Sequence, residues 1–216
     1  TRRSSDLSLP VLSSEVASLN AFVEGARQPS GALGLITGVG GRLIGFIKYG
    51  AQIRALQGGF IPSYFDSNYD FYRDERAEYV LSLASPGDFK LGWLARLGFQ
   101  LFKEALELNI QVDGPFAPKP SPATDDSGAY PHIKGAVVLA EGLLPGIFLS
   151  GSYEKYFIGR KTTFFRELLD PEDAVIGMSI NYKTGATVLT LSYIYSWDPT
   201  AGDFNVSSSL SASVRF

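Results

Sequence analysis

The strictest constraint on this chain is a two-residue alternation that runs from Ala174 to Phe216. Ile176, Met178, Ile180 and Tyr182 share one face of an extended segment, and Gly177, Ser179 and Asn181 share the other. Leu189, Leu191, Tyr193, Tyr195 and Trp197 then oppose Thr190 and Ser192. Finally Val206, Leu210, Ala212, Val214 and Phe216 alternate with Asn205, Ser207, Ser209, Ser211, Ser213 and Arg215. Successive side chains of a strand point to opposite faces, so this pattern demands a sheet with two unlike sides. Lys183-Thr184-Gly185-Ala186 supplies a tight turn, with the glycine that a hairpin uses at positive φ. A sheet packed on a core on one side gives this alternation. So does a membrane barrel, with lipid outside and a lumen inside.

The rest of the 216-residue chain continues the theme. Hydrophobic residues make up 45% of it, yet no stretch is long enough for a transmembrane helix. The longest uncharged apolar run, between Arg27 and Arg42, holds five glycines and falls short of the ~20 residues a spanning helix needs. A net charge of −3 argues against nucleic acid as a partner. With no cysteine, disulfides, thiolate metal sites and redox motifs are excluded. Residues 1–7 lack an initiator Met and a signal peptide, and they read as a non-native leader on a chain truncated at its N-terminus.

Ten strands are expected. Ser14–Gly25 fits either an amphipathic helix or a strand, and the turn residues Arg27-Gln28-Pro29-Ser30-Gly31 favour the strand. Further runs lie near 32–43, 47–56, 90–102, 106–112, 132–140 and 147–157, ahead of the three already described. Residues 47–57 and 90–102 are expected to pair antiparallel across the long loop 58–89, because sequential strands usually neighbour one another. That loop holds an aromatic and acidic cluster and a possible helix at 74–84. Its length implies a role of its own. Connections near 44–46, 103–104, 141–146 and 183–186 are short. Those near 27–31, 58–89, 113–131, 158–173 and 198–204 are longer. Short turns on one rim and long loops on the other are the barrel pattern.

The C-terminal strand, ending on Phe216 after apolar residues at alternate positions, resembles that of bacterial outer-membrane β-barrel proteins. In that family such an ending is the signal read by the barrel-insertion machinery, so the resemblance makes Phe216 an assembly signal. It implies an all-β, antiparallel up-and-down transmembrane β-barrel, residues 8–216 forming one domain in the bacterial outer membrane. The implied partners are outer-membrane lipid, the barrel-assembly machinery and small solutes. The implied function is porin-like, a passive pore or a structural membrane barrel.

Parity assigns the lumen-facing set. It includes Lys48, Gln52, Arg54, Arg96, Gln100, Glu107, Lys134, Glu154 and Arg215, of which five are basic and two acidic. That gives a polar, mildly cationic lining, either an open anion-preferring pore or a closed interior of paired charges. His132 is the chain's one histidine and reads as a rim residue. No G-x-S-x-G elbow precedes a helix, the glycines of 34–41 lack the Lys-Ser/Thr of a phosphate loop, and the loop acids match no calcium-binding loop. No catalytic residue, metal or cofactor is expected. Two other readings stay open: a soluble or lipoprotein-type β-rich domain that binds an apolar ligand, and an outer-membrane barrel enzyme. The first would require something to cover Val206, Leu210, Val214 and Phe216.

Overall fold

The computed structural model describes residues 3–28, 30–58, 60, 87–103, 105–117, 129–198 and 200–214. Eleven strands form one sheet in sequence order: β1 (Arg3–Ser13), β2 (Ala17–Arg27), β3 (Leu33–Leu43), β4 (Ile47–Gln57), β5 (Phe89–Leu101), β6 (Leu106–Pro115), β7 (His132–Leu144), β8 (Ile147–Lys155), β9 (Ala174–Thr184), β10 (Thr187–Asp198) and β11 (Asp203–Val214). A short helix, α1 (Phe164–Leu168), lies between β8 and β9. Every neighbouring pair is antiparallel. The β4–β5 pair, expected from sequence, forms with Ile47 opposite Phe99 and Gln57 opposite Phe89.

The hairpins differ in how well their residues suit the turn. Gly185 closes β9–β10 at φ 59°, a conformation that costs glycine nothing. The β5–β6 turn uses Phe102 and Lys103 at φ 53° and 56°, where Asn-Gly would be the relaxed choice. Ser14–Gly25 resolves mainly into β2 rather than a helix. A Ser14 side-chain turn precedes it, with Ser14 Oγ donating to Ala17 O at 2.9 Å and accepting from Ala17 N at 3.0 Å.

The expected closed transmembrane barrel is corrected. The pairings run from β1–β2 to β10–β11, and among the described residues β11 does not pair with β1. The strand that sequence reasoning omitted is β1. It includes Arg3 to Leu7 of the expected leader, set opposite Arg27 to Val23 of β2. It makes the count odd, and in an up-and-down meander an odd count leaves the first and last strands parallel. Antiparallel closure is therefore lost, and each terminal strand keeps an unpaired edge. In a bilayer core such an edge leaves backbone N–H and C=O groups with neither water nor protein partners. The resemblance to outer-membrane barrels, the passive-pore or structural-barrel function, the porin-like transmembrane character, the outer-membrane location and the partnerships with outer-membrane lipid and the barrel-assembly machinery fall with closure. An open wall encloses no passage. Among the described residues, no helix is long and apolar enough to cross a membrane.

The two faces of the sheet differ as the alternation requires. The outer face carries Leu97, Ile110, Ile176, Ile180 and Leu189, and it continues to Val206 and Leu210 on β11, the latter 74% exposed. Nothing among the described residues covers Val206, Leu210 or Val214. The inner face is polar and glycine-rich. It is concave, because one cavity touches β2 through β7. A small apolar cluster on one end of this face joins Ala26, Ala32 and Phe60, with Leu56 beside them. Phe60 lies directly on Gly34, whose missing Cβ would sit 2.5 Å from the ring. Apart from residues 58, 60 and 87–89, the expected loop of 58–89, with its aromatic and acidic cluster and its 74–84 helix, lies outside the described residues, as do Arg215 and Phe216.

Candidate functional site

Three constellations stand out on the sheet. The first is a polar clamp on the inner face. Register places Asp113 of β6 opposite His132 of β7, and Lys134 opposite Glu154 of β8. The His132 ring bridges both carboxylates, with Nδ1 3.2 Å from Asp113 Oδ1 and Nε2 3.0 Å from Glu154 Oε1. Tyr156 donates its hydroxyl to the same Glu154 oxygen at 2.8 Å and stacks on the imidazole at 4.4 Å. Gln111 Nε2 donates to Asp113 Oδ1 at 3.2 Å.

An imidazole that donates from both nitrogens to carboxylates is an imidazolium. Burial works against that charge, but the hydrogen bonds to Asp113 and Glu154 outweigh it and lift the His132 pKa to about 9. Glu154 is lowered to about 2, chiefly by the His132 hydrogen bond. For Asp113, burial pushes upward, but the His132 and Gln111 hydrogen bonds prevail and lower it. The chemistry of the clamp follows. At neutral pH His132 has no lone pair with which to act as a base, and among the described residues no serine hydroxyl is bonded to it. Its two nitrogens point at different carboxylates, so the trio does not converge on one metal ion. No group of three His, Cys, Asp or Glu does so among the described residues. The clamp ties β6, β7 and β8 together.

The second constellation is an inner-face cavity of about 920 Å³. Of the residues assigned from sequence, Lys48, Arg96, Glu107 and Lys134 line it. Gln52 and Arg54 pair with each other instead. With its amide oxygen turned toward Arg54, Gln52 accepts from Nε and Nη2 at 2.6 Å. Glu154 belongs to the His132 clamp. Gln100 sits opposite Glu107 in register and does not line the cavity. Arg42 lines it but was missed from sequence. Counting back from Lys48 across the 44–46 turn places it on the same face.

The third is a groove of about 500 Å³ on the outer face, walled by Ile110, Ile133, Tyr153, Leu168, Ile176 and Phe204. Its roof is the segment that carries α1. Residues 158–173, one of the longer connections in the sequence, fold back onto the sheet. Tyr153 donates its hydroxyl to Leu168 O at 2.9 Å. Lys155, 1% exposed, donates Nζ to Asp170 O at 2.9 Å and also to Glu172 O. The buried Glu167 carboxylate accepts from Gly159 N at 2.7 Å and from Lys161 N. The Tyr153 and Lys155 bonds hold the roof onto β8, and the Glu167 bonds hold the roof segment to itself. Phe204 closes one end of the groove and meets Trp197 edge to face at 5.4 Å.

No protein-family model matches the chain, and no curated protein matches it. A solved structure from work on the mechanism of in-meso crystallization of membrane proteins is similar to it at 12% identity. The TM-score is 0.40, over 97% of this chain and 74% of that one, a likeness too low to bear on fold or function.

Proposed function

We propose that this chain is a β-rich binding domain that holds an apolar ligand, a hydrocarbon or acyl chain, in the outer-face groove. The observation that carries this reading is the groove itself. It is walled by aliphatic and aromatic side chains and roofed by a segment stapled to the sheet through Tyr153 and Lys155. Its volume of about 500 Å³ falls within the range of small-molecule sites. Transfer of apolar ligand surface from water supplies the driving force, about 25 cal/mol per Å² buried. Of the polar groups near the groove, the carbonyls of Leu168 and Asp170 are engaged by Tyr153 and Lys155, and the carboxylate of Asp170, which also lines it, accepts from Glu172 N at 3.0 Å.

The test must separate a site from a greasy surface, because the outer face is apolar well beyond the groove. Titration with a long-chain fatty alcohol, read by calorimetry or by the fluorescence of Trp93 and Trp197 together, should give saturable binding near one equivalent. Ile176→Asp, in the groove wall, should weaken it about tenfold or more, as one desolvated charge in an apolar site does. Leu210→Asp, on the same face but outside the groove, should leave it unchanged. Equal losses in the two variants, or adsorption that never saturates, would refute the reading.

A further inference from the structure

We infer that the glycine-floored cavity ringed by Arg42, Lys48 and Arg96 on the inner face binds a small anion that carries more than one negative charge, such as a diphosphate or a dicarboxylate. The inference is independent of the apolar groove, which lies on the opposite face.

Register builds the site. One row across the sheet reads Ser18, Arg42, Lys48, Gly98, Asn109, with each residue directly opposite the next on β2 through β6. The adjacent row on the same face reads Asn20, Gly40, Gly50, Arg96, Gln111. The glycines keep the floor low. A Cβ on Gly50 would sit 2.8 Å from Arg96 Nε, so Arg96 lies flat across that strand toward Gly40. A Cβ on Gly98 would sit 2.7 Å from Asn109 Oδ1. The emptied space is the cavity of about 920 Å³.

Electrostatics then calls for a ligand. Arg42 and Lys48 are directly opposite in register, and Arg96 is the diagonal neighbour of Lys48. Like charges directly opposite on one face of a sheet destabilise it. Among the described residues no ion pair joins any of the three to a carboxylate. Lys134, also in the lining, differs, because Glu154 faces it and feels its charge. Glu107 and Glu15 line the cavity without forming such a pair. A sheet that places three cations together over a bare glycine floor is relieved by an anion. Three cations call for more than one negative charge, which a diphosphate or a dicarboxylate carries and a chloride ion does not. The planar guanidinium forks of Arg42 and Arg96 suit phosphate or carboxylate oxygens.

Thermal unfolding of the purified chain tests this, with pyrophosphate and succinate as probes and sodium chloride at matched ionic strength as reference. We expect at least one probe to raise the transition temperature above the chloride reference. Arg42→Gln, Lys48→Gln and Arg96→Gln should each weaken that probe's binding about tenfold or more, as loss of one charge-assisted contact does. Arg42→Gln should also raise the transition by about 1–3 °C without any probe, because it removes a like-charge pair. The groove variant Ile176→Asp and the helix variant Arg166→Gln should keep the full response. No response to either probe beyond chloride would overturn the inference, as would an undiminished response in the three cavity variants.

Discussion

Removing the His132 charge should uncouple β6 from β8 in a pH-dependent way. A rise in the His132 pKa from 6.5 to about 9 corresponds to about 3 kcal/mol of stabilisation, at about 1.4 kcal/mol per tenfold change in proton affinity. The ring is 16% exposed and its partners are 25% and 26% exposed, so partial hydration makes this figure a ceiling. The lowered Glu154 pKa reports the same contact and is not added. The sign follows from linkage. A raised folded-state pKa gives stability that is complete below 6.5 and is lost as pH climbs through about 9. Glu154, lowered to about 2, gives stability that is complete above 4.5 and is lost as pH falls through about 2. The clamp is therefore strongest between pH 4.5 and 6.5. Urea unfolding of the parent and of His132→Gln across pH 5 to 10 isolates it, since other titrations cancel in the difference. The gap should be about 2–3 kcal/mol near pH 5.5 and shrink to less than about 1 kcal/mol by pH 10. As the chain's one histidine, His132 also gives an unambiguous NMR titration, with a midpoint near 9. A gap that stays constant with pH, or a midpoint near 6.5, would refute the imidazolium clamp.

Three further outcomes follow from named contacts. Gly34→Ala should cost about 1–3 kcal/mol in urea unfolding, because a Cβ there would lie 2.5 Å from the Phe60 ring and must displace it. Replacing Phe102-Lys103 by Asn-Gly should stabilise the chain by about 1–2 kcal/mol in the same assay, since both residues hold positive φ without glycine's freedom. Lys155→Met should loosen the groove roof by stranding the carbonyls of Asp170 and Glu172. The expected result is a loss of about 1–3 kcal/mol and faster amide exchange across residues 164–173.

Much of the sheet was legible in the sequence, because alternation is a local signal. The last three strands, the β4–β5 pairing and the sorting of short and long connections all follow from counting residues. β1 was hidden, since Arg3–Leu7 reads as a leader and Pro10 discourages a strand reading. That omission changed the fold class: ten strands close antiparallel, and eleven do not. Closure depends on whether the first and last strands meet, and no local pattern encodes it. Alternation on Leu189–Trp197 or Val206–Phe216 says only that the two faces differ. Site residues divide in the same way. Lys48, Arg96 and Lys134 fall on the cavity face by parity alone. The clamp was invisible because Asp113 and His132 sit at the two ends of a Pro-rich connection, and their register across it depends on the folded hairpin. The groove needed the roof of 164–171 to fold back over Ile176 and Ile133, a tertiary event held by Lys155, whose position at a strand end reads as solvent-facing.

The open sheet is most directly tested by the distance between its two edges. The chain has no cysteine, so Ser8→Cys with Ser209→Cys places one label on β1 and one on β11 and nowhere else. Neighbouring strands of a sheet lie about 4.7–4.9 Å apart. The open sheet predicts that the two thiols form no intramolecular disulfide under mild oxidation, and that spin labels at these positions report a separation well beyond that of paired strands. Rapid intramolecular disulfide formation, or a label distance matching adjacent strands, would show β1 docked on β11 and contradict the account.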